Sequence, residues 1–334
     1  MYTKETQDKI FQKIQLTIGS RTLADELIAL LGIGKSAAYR RIRCETELTF
    51  QELLLLHRHF KISLDDIFQD NYTGFNLSDS ALNSLSGKAY LQSIEQDLIY
   101  ISQFPETLVR YAASEVPLFY YLLEPKVAAF KLFFWSKTIW RIENKLFTKL
   151  RFKDFTADTQ LTPIIKNISK LYGHINSLEI WNENMMDIII NQIKYCVKAD
   201  IFEKQEDALE LCACLEVLLT KLHKILETGN KSVNYIEKKK PGGTIQAWNN
   251  RYFQNNIIIL VDTPIKKITY LGFDSPNFMR SDGLHTYEYA TSSFNNIQDF
   301  SSDITLTNEV NRYDFFEIIG MKLHKLEKYV RENM

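Results

Sequence analysis

Between Lys35 and Arg43 the chain gathers four cations, Lys35, Arg40, Arg41 and Arg43, and the first acidic side chain beyond them is Glu45. The protein as a whole carries a formal charge of only −1, so this basicity is local. Ammonium and guanidinium groups massed on a short segment suit phosphate, and an arginine also binds guanine O6 and N7 through two hydrogen bonds. Ser36 and Ala37, at the start of the run, are small enough to let a backbone approach base edges. Such chemistry is recognition of double-stranded DNA rather than catalysis.

Those residues act together only if a helix presents them. A helix advances about 100° per residue, so with Ala38 directed inward, Ile42 lies about 40° away and also faces a core. The opposite face collects Ser36, Ala37, Arg40 and Arg43, flanked by Tyr39 and Arg41, with Lys35 near the helix start. Two further apolar stripes are available to pack behind it: Leu23, Leu27, Leu30 and Leu31, with Thr22 as N-cap, and Leu53, Leu54, Leu56 and Phe60. Gly32 and Gly34 supply a turn between the first stripe and the basic helix. A helix of this kind fits a major groove about 12 Å wide.

Here a resemblance emerges: LADELIALLGI, KSAAYRRIR, TFQELLLLHRHF and KISLDDIF resemble the successive helices of the Cro/repressor-like helix-turn-helix family, which includes xenobiotic-response-element type bacterial regulators. The likeness covers about a fifth of the chain. It implies that the helix after the glycine turn reads operator DNA, with Ser36, Ala37, Arg40 and Arg43 toward the bases and Lys35, Tyr39 and Arg41 toward phosphates. It also implies a homodimer. The chain departs from the family pattern twice: Arg41 stands where an apolar residue is usual, with Ile42 one position later, and Cys44 to Leu48 lacks the glycine that often follows the recognition helix.

Other chemistry is weaker. ALLGIGKS, Ala29 to Ser36, nearly completes a phosphate-binding GxxxxGK[ST] loop, and IIILVD ends in Asp262 as a magnesium-binding strand would. However, Ala29 replaces the first glycine, and TLADELIALL has helical spacing where a strand is required. Cys212 and Cys214, with His223 downstream, sit two apart on a helical pattern and so diverge by about 200°, as do His57 and His59. No HExxH occurs. Neither a metal nor a cofactor is expected.

The remaining chain sets the frame. With 21 Phe and 17 Tyr against 12 Gly and 7 Pro in 334 residues, it is rich enough in apolar side chains for a sizeable core. The four cysteines fit a reducing compartment, and no secretory signal or membrane span is apparent, which points to a cytoplasmic protein. We expect a mainly α protein: a helix-turn-helix domain over 1–70, a linker over 71–87, a large helical domain over 88–240 without strands, and a small α+β part over 241–334. Within the last part, IIILVD, KKITYLG and LHTYEYAT carry strand composition, and NRYDFFEIIGMKLHKLEKYV is helical, packing on the sheet or on another copy. The run Leu118 to Trp140 reads as core. The function expected is a non-enzymatic DNA-binding transcriptional regulator, partnered by double-stranded DNA, a second copy, and an unknown small-molecule or peptide effector. A helical peptide- or protein-binding scaffold is the alternative, followed by a nucleotide hydrolase.

Overall fold

The structure is a computed structural model describing residues 4–18, 22–62, 76–77, 87–139, 161–231, 242–252, 257–274 and 276–334. The helix expected at Ser63–Phe68, most of the 71–87 linker and the lysine run Lys238–Lys240 lie outside these residues. The chain divides into two compact units, Met1–Gly74 with Asp282–His285, and Phe75–Ser281 with Thr286–Met334.

Among the described residues the N-terminal unit contains four helices, α1 (Lys4–Ile18), α2 (Leu23–Leu31), α3 (Lys35–Ile42) and α4 (Phe50–Phe60). Their apolar stripes meet in one core of Ile10, Phe11, Ile14, Leu27, Ala38, Leu56, Phe60 and Ile62. Ala38 is fully buried, and its single methyl lets α3 lie close to its neighbours.

The larger unit corrects the expectation of a mainly α protein with a small α+β tail. It is built on one mixed sheet of eight strands in the order β1-β7-β6-β5-β2-β3-β4-β8. In chain order its elements are β1 (Asn76–Leu77), α5 (Gly87–Ile101), β2 (Leu108–Ala112), α6 (Leu118–Tyr121), α7 (Pro125–Thr138), α8 (Leu161–Gly173) and β3 (Asn176–Trp181). There follow α9 (Asp187–Lys198), α10 (Gln205–Thr228), β4 (Ile245–Asn249), β5 (Ile258–Asp262), β6 (Lys267–Asp274), β7 (Asn277–Ser281), α11 (Leu284–Asp299), β8 (Ser302–Asp303) and α12 (Glu309–Asn333). Segments 88–240 and 241–334, set apart in the sequence reading, thus share one sheet.

β2, β3 and β4 form the parallel centre, and β5, β6 and β7 an antiparallel meander joined to β2. Parallel neighbours need long crossovers, which the helices between β2 and β3 and between β3 and β4 provide. Val109, Tyr111, Trp181, Ile245 and Val261 join the large core with α5 to α10 and α12. Ala112, Ile180 and Leu260 face the other side, covered by Tyr287, Ala290 and Phe294 of α11. β2 and β3 were hidden in the sequence because they are short and because polar Ser177 and Glu179 occupy the buried face of β3.

LHTYEYAT is likewise corrected from strand to the first half of α11. Its tyrosines and threonines favour strands, but Tyr287, Ala290 and Phe294 fall at helical spacing, and burial on the sheet outweighs propensity. The C-terminal α12 packs chiefly on α10 and α9 rather than on the sheet. A Cβ on Gly243 would meet the Ile175 carbonyl oxygen at 2.3 Å, so only glycine admits this backbone approach.

Candidate nucleic-acid interface

The turn before α3 is built as its glycines suggest. Gly32 ends α2 with φ 64° and ψ 31°, in the left-handed region, and its N–H reaches the Ile28 carbonyl at 3.1 Å. Gly34 is extended at φ −72°, and its carbonyl accepts from Ala37 and Ala38 at 2.9 and 3.0 Å to start α3. Behind α3, α4 opens with a reciprocal cap: Thr49 Oγ1 accepts from Glu52 N–H, and Glu52 accepts from Thr49 N–H.

On α3 the structure exposes Lys35, Ser36, Tyr39, Arg40 and Arg43 and leaves Ala37 half-buried. Ala38 is buried and Ile42 half-buried. One outer face therefore carries small residues at its N-terminal end and three cations, with an aromatic ring between them. Arg43 pairs with Glu45 at 3.0 Å, but both side chains are about half exposed, and such pairs hold weakly in water.

Arg41 departs from this pattern. Its guanidinium turns inward to Glu52 at 2.7 Å, and only 15% of its side chain is exposed. The stem fills a core-facing slot and the charge is met by α4. Burial tends to raise the Glu52 carboxyl, but the hydrogen bond from Arg41, the Thr49 cap and the Arg41 charge outweigh it and lower the pKa.

Two supports of this surface were not anticipated. The buried amide of Gln7 donates to the carbonyls of Arg41 and Thr46 at 2.8 and 2.9 Å and accepts from Leu48 N–H at 2.9 Å, tying α1 to the loop after α3. A glutamine inside the polar opening of α1 gives no sequence signal of this role. In the same loop Cys44 adopts φ 55°. The left-handed turn that glycine often makes here is thus kept by a cysteine, at a steric cost.

The other singled-out residues do not assemble. TLADELIALL forms α2 where a phosphate loop needs a strand, and Asp262 stands on β5 in the other unit, bonded to Lys267 and Tyr287. His57 binds the Ile62 carbonyl, and His59 packs edge-on to Phe60. Cys212 is buried, and burial raises its thiol to about 12. Among the described residues, no three His, Cys, Asp or Glu side chains gather as a metal site. No helix among them is long and apolar enough to cross a membrane.

The larger unit keeps charges inside. Glu179 on β3 is fully buried and accepts from the hydroxyls of Tyr120, Tyr172 and Ser177 and from the indole of Trp181. Lys231 is buried with its Nζ 3.8 Å from the centre of the Tyr172 ring and without a hydrogen-bond partner among the described residues. Burial pushes its pKa down to about 7 against the attraction of Glu179. Lys131 of α7 is bonded to Glu115, which also accepts from Tyr121.

Comparison with family models, curated proteins and solved structures finds no match to the chain. The functional reading therefore rests on the residues and their geometry.

Proposed function

We propose that the protein is a sequence-specific DNA-binding transcriptional regulator whose α3 enters the major groove. The observation that carries this reading is the outer face of α3, where Ser36 and Ala37 lead into Tyr39, Arg40 and Arg43 with Lys35 at the helix start. No acidic residue lies within α3. Small residues admit the backbone to the base edges, Arg40 is free to reach a guanine, and the flanking cations meet phosphates. A phosphate readily displaces the exposed Glu45 carboxylate from Arg43. Arg41 leaves the set of phosphate contacts, because its charge is committed to Glu52.

The C-terminal unit is far larger than a head needs for folding, which favours roles in pairing two copies and in sensing an effector. A homodimer would set two α3 helices on half-sites roughly 34 Å apart. The reading assigns no catalysis, and the protein acts in the cytoplasm.

A selection of bound sequences from random duplexes, followed by anisotropy titrations on the selected site, tests the proposal. Arg40→Ala with Arg43→Ala should weaken binding by roughly tenfold or more and flatten the salt dependence by up to about two phosphate contacts. The thermal midpoint should hold. Undiminished affinity in the double variant overturns the assignment.

A further inference from the structure

Between α5 and the sheet lies a cavity of about 90 Å3 with almost wholly apolar walls. Leu98 of α5 forms one side, Val109 and Val261 of the sheet another, and the rings of Tyr111, Phe119 and Phe278 close it. Phe119 is stacked on Tyr172 with ring centres 4.0 Å apart, and Tyr111 meets Phe119 edge-on. The tyrosine hydroxyls around it are already engaged: Tyr90 donates to the Pro276 carbonyl, Tyr172 to Glu179, Tyr270 to Asp97, and Tyr111 is met by the Leu118 backbone. The one charged wall residue, Asp97, pairs with Arg280 at 3.5 Å.

These walls define the ligand. With no uncommitted charge facing the space, an ionic guest would lose its hydration without compensation. Aromatic rings in edge and face orientations favour another ring. On the cavity scale one water needs roughly 10–15 Å3 and a dry cavity of roughly 150 Å3 admits benzene, so the guest is no larger than a single ring. A well-packed interior has few voids of this size, and keeping one forgoes contacts that the fold would otherwise make.

α5 is the element placed to respond. It packs on α8, where Glu95 meets Asn167 at 2.7 Å, it sets Tyr90, Leu91, Leu98 and Ile101 into the core, and Asp97 reaches Arg280 and Tyr270 across the mouth of the space. Among the described residues it is also the first helix after the N-terminal unit in the chain. We propose that the cavity is a binding site for an uncharged molecule of about one aromatic ring, whose entry fixes α5 against the sheet. Calling that molecule an effector rests on the DNA-binding reading; the site itself does not.

Calorimetry and hydrogen exchange on the full chain with toluene and phenol as probes, and hexanoate as the charged control, test the site. The expected result is saturable binding of at least one aromatic probe at sub-millimolar to millimolar concentration, none of hexanoate, and slowed exchange concentrated in 87–101. Val261→Phe, which fills the space, should abolish both effects while leaving duplex affinity intact. Should that variant misfold, Leu98→Phe fills the same space from the α5 side. Absence of saturable aromatic binding, binding that survives in a folded filled variant, or protection lying outside α5 overturns the proposal. Duplex titrations on the same samples separate a failure here from a failure of α3.

Discussion

The two units treat charge in opposite ways. In the N-terminal unit, Lys35, Arg40 and Arg43 stand on the outside of a small apolar core, and Arg41 is drawn in against Glu52. In the larger unit, Lys131, Lys231, Glu115 and Glu179 are all buried. A cation on the surface remains hydrated and available to a partner, whereas one taken into a core must be met by fixed groups or lose its proton. Lys131 takes the first course, with Glu115, the Gln192 side chain and the rings of Tyr121 and Trp135 around it. Lys231 takes the second, held among the described residues by an aromatic face and a more distant carboxylate. The comparison separates charges that recognise from charges that fix the fold.

The largest effect should come from breaking the better-met pair. Lys131→Met leaves Glu115 in the core with the Tyr121 hydroxyl as its remaining named donor, and stranding a buried charge costs about 3–5 kcal/mol. Adding Glu115→Leu should recover most of the loss. Urea unfolding followed by the fluorescence of buried Trp181 would measure both. A single variant as stable as the parent would show that the pair does not hold the core together.

Lys231 should respond to pH instead. Its folded pKa of about 7 lies below the unfolded value near 10.4, so across that window the unfolded chain holds more protons than the folded one. Stability therefore rises with pH between the two values, and below about pH 7 the full penalty of burying the ammonium remains. Relative to Lys231→Met, the parent should gain roughly 2 kcal/mol from pH 7 to pH 9. Parallel denaturation curves at the two pH values for both proteins would show a Lys231 that is charged and well met, removing the contrast with Lys131.

How much of this was legible follows the same division. The N-terminal helices are amphipathic, with one face in water, so Leu27, Ala38 and Leu56 could be placed in the core from spacing alone, and Gly32 marked the left-handed turn. The exposed faces of Lys35, Arg40 and Arg43 followed from the same wheel. Arg41 was misplaced because spacing reports direction and not the Glu52 that waits on α4. The sheet was less legible because LVRYA and NSLEIW are short and because in NSLEIW the polar Ser177 and Glu179 are the buried residues while Leu178 is half-buried, so polarity does not track burial. Glu179 and its donors come from α6, α8 and β3; Tyr172, Ser177 and Trp181 lie near it in sequence, but only the fold brings Tyr120 to the same carboxylate, and no local pattern announces that. The cavity beside α5 is a property of packing, which spacing does not encode.

The smallest effect sharpens the comparison at its exception. Glu52→Gln keeps a side chain that can still meet the Thr49 cap but removes the charge facing Arg41. Because both partners are partly exposed, the loss in the N-terminal unit should be no more than about 1 kcal/mol. The lowered Glu52 pKa means that this contribution is present above the unfolded carboxyl's value and disappears as pH falls through the folded one, so parent and variant should converge in acid. The released guanidinium gives a second readout. Arg41 flanks the proposed reading face, and once freed it can turn to a phosphate, steepening the slope of log affinity against log salt by up to about 0.9. A steeper slope in Glu52→Gln would mean that Glu52 holds back a cation the groove could use; an unchanged slope would place Arg41 with the structural charges, beside Lys131, despite its position on the DNA-reading helix.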